Sequence, residues 1–184
     1  MPTPLDGVES GAMRAPGHVR TLGAAVGTTA LTAYAAVKAS WALGVDVGVR
    51  NAAQWHRMLD SLSDGERLAA LWRTVGLDLL GVALLLVLAS SRAGRASAPA
   101  RLLRASGWLA GAALLLPGAA GLAVTLGPTT GLWPAAPGDP GPLADWVFVV
   151  VYGSFAAAGA GYLLVSASWR SRASHGPVPE HARS

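Results

Sequence analysis

Four long apolar stretches, at residues 22–45, 71–89, 108–126 and 146–168, alternate with polar segments along the chain. A hydrocarbon core about 30 Å thick is crossed by about 20 helical residues, so each stretch is long enough to span it. None has the short alternation of a barrel strand. Lipid offers backbone N–H and C=O groups no partners, so each stretch must satisfy them internally as a helix. The predicted fold is therefore all-α, an integral membrane four-helix bundle over residues 22–169. Disordered cytoplasmic tails are expected at 1–21 and 170–184, and outer loops at 46–70 and 127–145.

Charge in the connecting segments sets the expected direction. Arg14 and Arg20 precede the first stretch, Arg92, Arg95, Arg101 and Arg104 lie between the second and third without an acid, and Arg170, Arg172 and Arg183 follow the fourth. Cytoplasmic segments are enriched in Lys and Arg, so these three should face inward, with both termini cytoplasmic. The segment between the third and fourth stretches has no basic residue and carries Asp139 and Asp145. The first loop mixes Arg50, Arg57 and Arg67 with Asp46, Asp60, Asp64 and Glu66, and both of these should face outward. The tryptophans agree: Trp41, Trp72, Trp133 and Trp146 fall near outer ends, Trp108 and Trp169 near inner ends, and Trp55 in the first outer loop. Indoles prefer the headgroup layer.

Composition narrows the class further. The 184 residues are 52% hydrophobic and 13% charged, a profile outside that of an ordinary soluble domain. The net charge of +4 comes mostly from the inward loops, with no aromatic or helix-turn-helix context, so topology explains it and nucleic acid is not an expected partner. The abundance of Arg over Lys, with heavy Ala and Gly use, suggests a GC-rich bacterial genome. There is no Cys, which excludes disulfides, thiolate metal sites and thiol nucleophiles. The apolar run from Leu22 exceeds a signal-peptide core and is interrupted by Lys38, so it is read as a retained helix.

Local punctuation adds detail. Ser63 followed by Glu66 has capping-box spacing, so the second helix should begin before the hydrocarbon. Trp55, Met58, Leu59 and Leu62 form one apolar stripe. They predict a short helix that either lies on the outer surface or packs on the tops of the other helices. Five prolines between Gly127 and Pro142 predict an irregular outer cap, and Pro117 with Gly118 favours a kink in the third helix. Gly23 and Gly27, Gly107 and Gly111, and the series Gly153, Ala157, Gly161 have the four-residue spacing that lets membrane helices approach closely. Abundant Gly and Ala make chance matches common, so the three-member series carries the expectation, first as a packing face and then as a face for a membrane-protein partner or a second copy.

Lys38 and Asp78 are the leading candidate site residues. Lys38 lies about seven residues below the outer end of the first helix and Asp78 about seven below that of the second, so both sit about 10 Å inside the core. A single charge at a helix centre costs about 2.5–3.5 kcal/mol on insertion scales, which a facing opposite charge would offset. Tyr152 falls in the same layer, Gly121 leaves room there, and Tyr34 shares a face with Lys38 and Trp41. A small polar cavity lined by Lys38, Asp78, Tyr152 and Tyr34 is the sharpest expectation. Three readings stay open: a structural ion pair between the first two helices, a ligand or proton site, or a snorkelling Lys38 with Asp78 paired to Arg50 or Arg73.

The run Tyr34-Ala35-Ala36-Val37-Lys38-Ala39-Ser40-Trp41-Ala42-Leu43-Gly44 resembles the first-helix signature of a family of small four-pass membrane proteins of GC-rich bacteria, in which a polar residue precedes Trp-Ala-Leu-Gly-Gly. Val45 replaces the second glycine here. The resemblance implies the four-pass topology and draws attention to Lys38 and Trp41; that family has no established activity to carry over. His18, His56, His175 and His181 have no carboxylate at metal-ligand spacing, and no nucleophile elbow or nucleotide-binding fingerprint is present, so no metal, cofactor or catalytic residue is expected. Asp145 and Trp146 fit a helix cap and an interfacial anchor. The leading expectation is a non-enzymatic accessory or scaffold component of the plasma membrane, with the lipid bilayer as its partner. The alternative is a small solute or proton-linked transporter or channel subunit, and a membrane enzyme ranks third.

Overall fold

The computed structural model describes residues 16–90, 98–134 and 141–169, with the side chains of Pro16, Arg67 and Leu68 excepted. Arg14, Arg92, Arg95, Pro137, Asp139 and Pro140, with the rest of residues 1–15 and all of 170–184, lie outside the described residues. Five helices follow in order: α1 Pro16–Ala42, α2 Ala52–Asp60, α3 Asp64–Ser90, α4 Ala98–Thr130 and α5 Asp145–Ser168. Among the described residues there is no strand, only a single antiparallel bridge between Val49 and Leu143.

The long helices overrun the predicted spans, and local chemistry explains where. Pro16 stands at the first helical position, where its fixed φ is favourable and its missing N–H costs nothing, so residues 16–21 are helix rather than tail. At its other end α1 stops at Ala42, three residues short of the predicted boundary. Gly44 takes a positive φ of 79°, the Val45 N–H reaches Ser40 O at 2.8 Å and the Gly44 N–H reaches Trp41 O at 3.0 Å. This bond pair closes a helix with a left-handed residue after its cap. α4 ends the same way at Gly131, with the Leu132 N–H on Gly127 O, so helix persists through Pro117 and Pro128 and takes over the first turn of the expected cap.

The capping box starts α3 seven residues before the predicted span. The Glu66 N–H donates to Ser63 Oγ at 3.3 Å, and the Ser63 N–H returns a bond to Glu66 Oε2 at 3.0 Å. The Ser63 hydroxyl, together with that backbone N–H, holds the Glu66 carboxyl below its ordinary range.

Three helices, α3, α4 and α5, are long and apolar enough to cross a membrane. At 27 residues α1 is as long as α3, but Thr28, Thr29, Thr32 and Lys38 dilute its apolar run. At most a third of each apolar window is buried inside the protein. On α4, Leu102, Leu109, Leu116 and Val124 form a stripe in which each residue is about 70% exposed. An apolar surface of that extent is out of place in water and natural against lipid.

The helices pack in the order α4, α5, α1, α3, with α5 central and α3 touching α4 and α5 only lightly. The core gathers Leu31, Leu85, Leu88, Ala158, Tyr162 and Val165. One end of the bundle holds α2 and the segments 43–51 and 141–144, and is called the α2 end; the opposite end is the tail end. At the tail end glycines let backbones meet. A Cβ on Gly161 would lie 2.5 Å from Gly23 O and 3.0 Å from the Gly27 Cα, and one on Gly159 would lie 2.5 Å from the Leu115 N. Of the three-member series, Gly161 thus packs against α1 within the chain, whereas nothing lies within 4 Å of a Cβ on Gly153. The α1 and α4 glycines, discounted in the sequence as chance matches, make the close contacts.

Candidate functional site

Lys38 is on α1 and Asp78 on α3, two neighbours in the packing order, so the similar depth of the two residues becomes direct contact. Lys38 Nζ lies 2.8 Å from Asp78 Oδ2, and the side chains keep only 11% and 10% exposure. That length is typical of a charge-assisted hydrogen bond. One turn below, the Tyr34 ring lies under the ammonium, with its centroid 3.9 Å from Nζ, and the edge-on ring of Phe155 from α5 backs it at 5.2 Å. The ammonium therefore has a carboxylate on one side and an aromatic face on another.

Snorkelling is excluded by this geometry, and so are the rival partners of Asp78. Arg50 instead meets Asp145 Oδ2 at 2.9 Å, and Arg73 is exposed. Asp145 is accordingly not the helix cap: Ala144 occupies that position and makes no side-chain cap bond. Tyr152 joins the cluster more loosely. Its ring fills the notch at Gly121 on α4, where any Cβ would strike it, while Tyr152 and Asp78 both lie within electrostatic range of the Tyr34 hydroxyl. Low exposure leaves Lys38 and Asp78 as a closed contact rather than the wall of an open chamber.

Sequence reasoning passed over Tyr162 and Phe155. Tyr162 is 1% exposed, and its hydroxyl donates a short bond to Gly81 O on α3. Depth counting misses this contact because helical side chains lean towards the N-terminus, which on α5 lifts the hydroxyl above the level of its own Cα. A tyrosine in an apolar helix must find an acceptor, and that was the available signal. Deeper still, the Ser166 hydroxyl is fully buried beside Gly107 and has no hydrogen-bond partner among the described residues.

Above the pair, the α2 end is closed by loop contacts. Pro142 O accepts from the Arg50 and Asn51 N–H groups at 2.7 and 3.1 Å, and the Ala144 N–H donates to Gly48 O at 2.8 Å. α2 packs on the top of α1: Trp55 is buried, its ring 5.4 Å from that of Trp41, while Met58 and Leu62 of the predicted stripe stay exposed. His56 Nε2 sits 3.0 Å from Asp46 Oδ2, a contact across the first loop that residue spacing concealed. Among the described residues no three His, Cys, Asp or Glu side chains are grouped to hold a metal. Chemically, the arrangement can hold two helices together through a charge pair, or hold a proton at a carboxylate if water reaches it. Set against family models, curated proteins and solved structures, the chain matches none.

Proposed function

We propose that this chain is a four-pass protein of the bacterial plasma membrane with both termini cytoplasmic, acting as a non-enzymatic accessory or scaffold component in which the Lys38–Asp78 pair locks α1 to α3. One observation carries that role: the two charges are 2.8 Å apart and nearly inaccessible. A transported ion or proton would need access to them. Below Asp78, α3 offers only apolar and glycine side chains from Leu79 to Ala89, with no polar group until Ser90, so this helix supplies no relay towards the tail end.

The fourth crossing, α1, is the least apolar of the long helices. Its length of about 40 Å, its two-sided packing against α5 and α3, and the burial against Asp78 of Lys38, the one charge in its apolar run from Leu22, support it as a span. The Trp41-Ala42-Leu43-Gly44 resemblance supports the same count. The direction rests on the arginine bias of the connecting segments.

Two measurements test the proposal. Because the chain lacks Cys, single-cysteine variants report topology directly. Ser61→Cys should react with an impermeant maleimide in intact cells, and Ser90→Cys only after permeabilisation; the reverse pattern overturns the orientation. In proteoliposomes with an imposed pH gradient, the purified protein should leave proton flux at the level of empty vesicles. Flux abolished by Asp78→Asn would instead establish the transporter reading.

A further inference from the structure

At the α2 end, a cleft of about 420 Å³ opens between the end of α1, the first loop, α2 and the start of α3. Its walls hold three indoles, Trp41, Trp55 and Trp72, and its polar groups are Asp46, His56 and Asp64. None of the lining residues is Lys or Arg. Lys38, one turn below Trp41, is already neutralised by Asp78. Even with His56 protonated against Asp46, the cleft keeps a net negative charge from Asp64, which has no cationic partner among the described residues.

The indoles are presented in a particular way. The Trp41 N–H is committed to Val47 O at 2.8 Å, so this ring offers the cleft only carbon edges and π surface. The Trp41 and Trp55 planes meet at 56°, which makes a corner rather than a stack. Aromatic faces attract cations through the ring quadrupole, most strongly when the cation is bulky and poorly hydrated. A metal ion would be too small for this volume and would find too few oxygen or nitrogen ligands; an anion would be repelled by the carboxylates.

We propose that the cleft is a binding site for a quaternary or alkyl-ammonium group, seated against the Trp41 and Trp72 rings, with the buried Trp55 backing Trp41, and balanced by Asp64 and Asp46. Such a group can come from a free solute or from the headgroup of a lipid, since the cleft lies at the level where α1 and α3 leave the apolar layer. The site goes beyond the structural role of the Lys38–Asp78 pair and does not depend on it.

The test is isothermal titration of the full chain in phosphatidylglycerol nanodiscs with tetramethylammonium and choline, and with 3,3-dimethylbutan-1-ol, the uncharged isostere of choline. Saturable binding of both cations is expected, with the isostere weaker by about tenfold or more. Asp64→Asn and Trp72→Ala should each weaken cation binding by a similar factor, and Trp133→Ala, an exposed indole outside the cleft, should leave it unchanged. Unchanged elution and circular dichroism of the variants establish that a loss reflects the site rather than the fold. Repeating the titration in nanodiscs containing phosphatidylcholine separates the sources: competition assigns the site to a lipid headgroup, and undiminished binding assigns it to a free solute. No saturable binding of either cation, equal affinity for the isostere, or variants that bind like the parent would overturn the proposal.

Discussion

At the tail end, α1, α4 and α5 meet through glycines whose missing side chains let backbone lie on backbone, whereas at the α2 end the helices are joined by directed polar contacts. Gly161 against Gly23 and Gly27 represents the first kind, and the same kind of backbone contact continues to mid-depth at Gly159 against Leu115. Lys38–Asp78, Arg50–Asp145 and the loop bonds to Pro142 and Gly48 represent the second. In lipid no hydrophobic force draws helices together, so a bundle must rely on close packing, on polar contacts, or on both. The two ends divide these means between them. They should consequently fail in different ways, the tail end to added volume and the α2 end to removed charge.

The largest effect is expected from breaking the buried pair. Asp78→Leu leaves Lys38 uncompensated and should lower stability in detergent by about 3–5 kcal/mol, measured by chemical unfolding. Next comes volume at the tail end. Gly161→Ala forces a Cβ towards Gly23 O and should cost about 1–3 kcal/mol, the range for overpacking. Gly153→Ala, eight residues away on the same helix and facing open space, should be neutral or gain up to about 1 kcal/mol from helix propensity. Equal costs at the two positions would erase the distinction drawn between the ends.

Arg50→Ala removes a half-exposed partner from the largely exposed Asp145 and should cost about 0–1 kcal/mol in the same unfolding assay. The smallest effect concerns the start of α3. Because Ser63 holds Glu66 below its ordinary pKa of 4.5, the cap contributes stability above that value and loses it as pH falls through the lower folded value. Ser63→Ala should flatten that acid-side slope in thermal unfolding, leaving stability at neutral pH only slightly reduced.

Much of this was legible in the residue order because membrane helices obey one-dimensional rules. Apolar length marks a span, and counting residues from its end gives depth, which is how Lys38 and Asp78 could be matched across 40 positions. The three apolar helices, the capping box at Ser63 and the room at Gly121 follow from the same local logic. What escaped is non-local. Arg50 reaches Asp145 only because two separate loops meet, and His56 reaches Asp46 because the first loop turns back on itself; no periodicity encodes either. The Tyr162 bond to Gly81 depends on side-chain lean, which depth counting ignores. The helix ends were displaced where short-range chemistry, at Pro16, Gly44 and Gly131, outweighed hydropathy. Glycine contacts on α1 and α4 were underrated because composition alone cannot tell a packing glycine from an abundant one.

The most direct test of the lock is a double-mutant cycle on Lys38 and Asp78, read by reversible unfolding in detergent. Lys38→Met combined with Asp78→Leu replaces the pair with apolar side chains of similar bulk. The double variant is expected to recover most of the stability lost by Asp78→Leu alone, with a coupling energy of about 2 kcal/mol or more, as for contacting residues in a single network. Losses that simply add would mean that the two charges do not depend on one another, and would contradict the account.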